Sequence, residues 1–204
     1  MATLGEEFKS SGITENTPKN IMLGAGTIHK GLTFSTDKWN FEESLVGATS
    51  GGTKVTIKPE FMDVEVDGAL VKVKGLAQKV GETAVMETNI VEVTPEIMKM
   101  TLVGQENKST DKTGYDEIIS KARIEEGDYI ENLAYVGKTL EGKPIIIVFD
   151  NALCTSGFEI EGKNKDKVVL KATFECYANL TTSCDTLPYH IYYPTPLVRT
   201  KAKA

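Results

Sequence analysis

Cysteine, histidine and tryptophan are scarce in this chain of 204 residues: it has three, two and one of them. The odd cysteine count excludes a fully paired disulfide framework, and Cys154, Cys176 and Cys184 lack metal-ligand spacing. The opening decad, MATLGEEFKS, has no apolar h-region. The three thiols are therefore expected to stay reduced, in a cytosol, as small buried hydrophobes. No run approaches the ~18 apolar residues of a membrane-spanning helix, so no membrane association is expected. Positive charge is also short. A net charge of −6 argues against a surface that neutralises many phosphates, though not against passing DNA without gripping it.

Catalytic patterns are missing as well. Neither His29 nor His190 has the Cys, Asp or Glu neighbours of a triad or zinc site. Gly24, Gly26 and Gly31 do not make the dinucleotide fingerprint, which needs a glycine where His29 stands. Ser50-Gly51-Gly52-Thr53-Lys54 lacks the Gly-Lys-Ser/Thr order of a phosphate loop. Asp63-Val64-Glu65-Val66-Asp67-Gly68 looks like the opening of a calcium loop, but its twelfth position is Lys74 rather than a bidentate Glu. The expectation is a protein that is not an enzyme, with no catalytic residue, metal or cofactor.

What the chain does have is β periodicity. Val55 and Ile57 alternate with Lys54, Thr56 and Lys58, which predicts a strand with one wet face. Val66-Asp67-Gly68-Ala69 is an Asp-Gly hairpin signal, and pairing across it puts Met62, Val64, Val66, Ala69, Val71 and Val73 on one apolar face, expected to pack on the core. Asp63 then faces Lys72. Further strands are predicted over 82–91, within 115–124, and over 129–136, 143–149, 152–160 (after a corner at Asp150-Asn151) and 167–177. The apolar run Ile145–Phe149 suits a strand buried on both faces. One helix is predicted at about 94–104. Thr94 is its cap, Pro95 its first residue and Gly104 its stop, with Ile97, Met98, Thr101 and Leu102 on the packed face. Gln105–Thr113 contains no apolar residue and reads as a loop.

The fold class expected is therefore mostly β, a sandwich or barrel with one short flanking helix. Its organisation divides into a flexible arm over 1–20, a β domain over 21–187 and an extended arm over 188–204. Tyr189, Tyr192 and Tyr193 stand among Pro188, Pro194 and Pro196. This composition fits either a sticky arm or a tail folded back on its own domain.

Several strings resemble the major tail proteins of long, non-contractile-tailed bacteriophages of Gram-positive hosts. They are Leu23–Ile28, Gly47–Val55, Glu65–Gly75, Val80–Ala84, Asn151–Gly157 and Asp185–Pro194, occurring together and in order. The resemblance implies a structural virion protein with the tail-tube type of β fold. Such subunits form hexameric rings that stack into a tube, the conduit for genome delivery. It implies partners in the tape-measure protein and in the tail-tip and terminator proteins, with DNA passing transiently through the lumen. It places the chain in the virion tail, and in the host cytoplasm during assembly. The polar face of the Lys54–Gly75 region is the expected lumen face; separately, a ring of six subunits of −6 each would be acidic overall, which would let DNA slide rather than stick. The arm over 1–20 is expected to serve tube formation rather than folding. The alternative is a β-sandwich binding module for carbohydrate or protein on a virion or cell surface, with Tyr189, Tyr192 and Tyr193 as its best feature.

Overall fold

The computed structural model describes residues 12–109, 111–162, 164–181 and 183–194. The outer parts of both expected arms, 1–11 and 195–204, lie outside the described residues. In chain order the elements are α1 (Thr17–Asn20), β1 (Met22–His29), β2 (Phe34–Ser35), β3 (Lys38–Trp39), α2 (Phe41–Ser44), β4 (Thr49–Asp63), β5 (Ala77–Ile90) and α3 (Pro95–Leu102). There follow β6 (Gly104–Lys108), β7 (Asp116–Ser120), a single 3-10 turn at Glu126–Asp128, β8 (Ile130–Thr139), β9 (Pro144–Cys154), β10 (Ile160–Glu161), β11 (Val169–Cys176) and β12 (Tyr189–Tyr192). The mostly β class expected from periodicity is the class observed.

One antiparallel sheet dominates, in the order β1-β8-β9-β11-β5-β4, with β10 added to β11 and β12 to β9. It curls until its two edge strands, β1 and β4, lie alongside each other without pairing, which makes a half-open barrel. Alternate residues of every strand point inward. Ile28, Met86, Ile90, Leu133, Phe149 and Phe174 are wholly buried there. Across β8 and β9, Leu133 pairs with Phe149 and Tyr135 with Ile147 on this inner face.

The outer face of the same two strands is covered too. Ala134, Ile146 and Val148 form a second core with Leu32, and Trp39, Phe41 and Val136 pack against it. The excursion through β2, β3 and α2 therefore explains why Ile145–Phe149 is apolar without alternation: this strand has no wet side. It also runs straight through Asp150 and Asn151 to Cys154, so the corner expected there does not form.

The glycines of the Leu23–Ile28 string have a specific use. β1 is bulged against β8 between Leu23 and Thr27, and Gly24 and Gly26 take positive φ values of 93° and 71°. A Cβ on Gly26 would stand 2.3 Å from the ring of Tyr135, and one on Gly137 3.2 Å from the same ring. Tyr135 lies in the room these two glycines leave.

In α3, Thr94 Oγ1 accepts from the Ile97 N–H at 3.3 Å and Pro95 opens the helix, as expected. The end differs: Val103 takes the left-handed cap (φ 51°), and Gly104 instead begins β6. The packed face differs too. Ile97, Met100 and Thr101 are buried, at the i, i+3, i+4 spacing of a helix stripe, whereas Leu102 is 43% exposed. Part of the segment read as a loop, Gly104–Lys108, is a strand paired with β7 from Gly104↔Ser120 to Lys108↔Asp116. Backbone pairing needs no apolar side chain, and Lys99 of α3 holds the Glu106 carboxylate of this hairpin.

At the C-terminal end the tail is folded back. Tyr189–Tyr192 pairs with Phe149–Ile146 of β9, along the edge that β11 leaves free beyond Ala152. Pro188 and Pro194 sit outside the paired residues, where their missing N–H costs nothing. Tyr193 Oη donates to Asn20 Oδ1 at 2.9 Å, so residue 20 also rests on the domain.

Candidate assembly surfaces

The β4–β5 ribbon outruns its sheet. β5 pairs with β11 only from Val85 to Ile90, whereas β4 and β5 stay paired as far as Asp63↔Ala77. Near Glu82 the ribbon is pinned to the domain. Lys79 Nζ lies 2.8 Å from one carboxylate oxygen of Glu82, and Tyr189 Oη donates to the other at 3.2 Å. The Lys79 hydrogen bond, helped by Tyr189 and opposed by burial, holds the Glu82 carboxyl below its ordinary value. From Glu60 to Val80 no residue is buried and only Leu76 is partly so.

The Asp67-Gly68 turn forms as predicted: the Ala69 N–H donates to Val66 O at 3.1 Å, and Gly68 takes φ 90°. Asp63 and Lys72 do meet, as an ion pair of 2.5 Å that raises the lysine above its usual value. The strands of that hairpin do not form, however: β4 ends at Asp63 and β5 starts at Ala77, with a long loop between. The six-residue apolar face expected to pack on the core is not core. Met62, Val64, Val66, Val71 and Val73 are all exposed, Val71 by 77%, with Leu70 at 98% and Phe61 at 67%. A two-stranded ribbon is marginal on its own, and this one carries exposed apolar side chains on both of its strands and on the loop between them.

A second surface lies on the outer side of the domain. Phe34, Trp39, Ile146, Tyr192, Tyr193 and Pro194 wall a cleft of ≈ 540 Å³ beside Pro144. Trp39 is its centre, with ring centroids 5.1 Å from both Phe34 and Tyr192. Two of the three tail tyrosines singled out in the sequence come together here, while Tyr189 turns away to Glu82. Phe34 and Trp39, more than 150 residues earlier, carried no signal of their place beside them. Their short strands, Phe34–Ser35 and Lys38–Trp39, form a hairpin with Thr36 and Asp37 at positive φ.

Both histidines and several charged side chains have partners within the fold. His29 is buried, its ring between Thr27 Oγ1 (2.8 Å) and Ser44 Oγ (2.9 Å). His190 Nε2 lies 3.2 Å from Asp150 Oδ2 at the surface. Lys121 joins Asp128 (2.7 Å) and Glu125 (3.1 Å), and these hydrogen bonds, Asp128 first, raise its pKa. Cys154 and Cys176 are buried and free, and burial pushes the Cys176 thiol up to about 12. Cys184 departs from expectation, being exposed. Lys54, Thr56 and Lys58 form the wet row of β4, with Lys54 paired to Glu87 at 3.1 Å. Among the described residues no group of three or more His, Cys, Asp or Glu is placed to hold a metal ion, and no helix is long and apolar enough to cross a membrane.

No family model matches the chain, and no curated protein matches it. Among solved structures, a chain of the virion of a native gene transfer agent particle is similar to it, with a TM-score of 0.39 and 11% identity, over 76% of this chain and 92% of that chain.

Proposed function

We propose that this chain is a self-assembling structural protein, the subunit of a phage tail tube. Six copies would form a ring, and rings would stack into the conduit for genome delivery. The observation that carries the reading is the ribbon from Glu60 to Val80, which projects apolar side chains and packs them on nothing in its own domain. Burying such a surface stabilises a complex by roughly 25 cal/mol per Å², and no occupant smaller than another macromolecule would cover a ribbon this long. The resemblance of six strings to those of tail proteins supports the finer identification. In this reading the protein is not an enzyme and takes no cofactor or metal. Its partners are further copies of itself, then a tape-measure protein and the tail-tip and terminator proteins. It belongs in the virion tail after assembly in the host cytoplasm, and DNA would pass the lumen without being held.

A second reading has one observation in its favour. The ring row Phe34, Trp39 and Tyr192 is also a stacking platform, which suits a carbohydrate or protein binding module.

Negative-stain electron microscopy of the purified protein, from dilute to concentrated and with and without tail-tip components, separates the two. Rings or hollow tubes of one diameter are expected. Single particles under every one of these conditions would leave the binding module.

A further inference from the structure

One chain presents two apolar surfaces: the loop at the end of the β4–β5 ribbon, which is exposed beyond the sheet and folds around a hollow of its own, and the Phe34–Trp39–Tyr192 cleft. We propose that the loop of one copy, led by Leu70 and Val71, seats in the aromatic cleft of the next. This rests on the assembly reading above and names the contact that would build it. The chain's own ribbon does not fill its cleft, since Phe61 through Val71 are all exposed and none of them lines it. An incoming ribbon therefore belongs to a second copy. The five steps along β5 from Glu82 to Ala77 give about 17 Å of reach before the loop begins.

Charge favours the same pairing. The loop carries Glu65 and Asp67 beside Val66, and among the described residues neither has an ion-pair partner. Lys138 pairs in register with Pro144 of the cleft, which puts it on the same face, and it has no ion-pair partner among the described residues. An apolar loop on an aromatic floor, with loop carboxylates toward the Lys138 ammonium beside Pro144, is the arrangement of a desolvated centre and polar rim. The cleft itself offers few polar groups, which favours an apolar segment over a sugar. Because loop and cleft are different patches, the contact is head-to-tail and repeats from copy to copy, closing into a ring or extending as a filament.

Trp39 is the only tryptophan, so its emission reports occupancy of the cleft directly. The test uses the full chain and two exposed substitutions, Leu70→Asp in the loop and Phe34→Asp in the cleft, each checked for an unchanged circular dichroism spectrum and melting temperature. Should Phe34→Asp lose its fold, Lys138→Glu takes its place. For the wild type, Trp39 emission is expected to change in step with sedimented mass as concentration rises. Either variant alone should need roughly tenfold or more protein to assemble. A one-to-one mixture should give a dimer and stop there, because it holds one intact loop and one intact cleft. Wild-type assembly with unaltered Trp39 emission, or a mixture that stays monomeric, would overturn the loop-in-cleft contact and leave the assembly reading standing. A wild type that remains monomeric throughout would end both.

Discussion

Ser44 Oγ lies 2.9 Å from Nδ1 of His29, in the interior between β1 and α2. Ser44 spends its own proton on Asn40 O at 2.8 Å, so it accepts from Nδ1–H, and Nε2 is left to accept from Thr27 at 2.8 Å. The imidazole is thereby suited to its neutral form. With the ring of Phe41 set edge-on 5.7 Å away, it ties the first strand to the segment that carries Trp39.

This pair makes stability depend on pH. Burial lowers the His29 pKa below its ordinary 6.5, against a smaller opposing effect from the Phe41 backbone. The unfolded chain then binds the proton more readily, so the contribution is whole above pH 6.5 and is lost as pH falls below it. The unfolding free energy from urea titrations between pH 7.5 and 5 is expected to fall with a slope of up to about 1.4 kcal/mol per pH unit from this group. In His29→Gln that part of the slope should vanish; an unchanged slope would assign it elsewhere.

The face of α3 can be tested by contrast. Ile97→Ala removes a buried side chain and should cost about 2–5 kcal/mol in denaturant unfolding. Leu102→Ser alters an exposed position and should stay within about 0.5 kcal/mol of the wild type. Equal effects would contradict the packing described.

Gly26→Ala should destabilise by at least about 1–3 kcal/mol, because it adds strain at positive φ to a clash with Tyr135. Combining it with Tyr135→Ala removes the clash and should leave only the backbone share, so the two changes should be non-additive in melting experiments.

Much of the fold was legible wherever a strand meets water on one side or a helix announces its ends. The alternation of Lys54–Lys58 and the Thr94-Pro95 start are visible because each residue acts locally. The strand at Gly104–Lys108 was hidden because its cohesion is backbone pairing with β7, which leaves no apolar trace. Proline spacing concealed β12, whose four paired residues fit between Pro188 and Pro194. The valines from Val64 to Val73 carry the opposite lesson. Alternation shows that one face is apolar, and it does not say against what that face packs; here the fold leaves it exposed. The cleft was half visible in Tyr192 and Tyr193, while Phe34 and Trp39 reach it only through the fold.

Lumen charge offers a further expectation. If the wet row of β4 lines the tube, Lys54→Glu and Lys58→Glu together should leave assembly intact while changing the salt dependence of DNA release from complete tails. Unaltered release would put that row on the outside.

The claim on which the rest depends is that the Glu60–Val80 ribbon exists for a neighbour. Its most direct test replaces the loop 64–76 by a two-residue Asn-Gly turn joining Asp63 to Ala77, and compares sedimentation of this variant with the wild type across concentration. The account predicts a folded monomer of unchanged melting temperature that stays monomeric where the wild type forms rings or tubes. A trimmed protein that assembles like the wild type would contradict it.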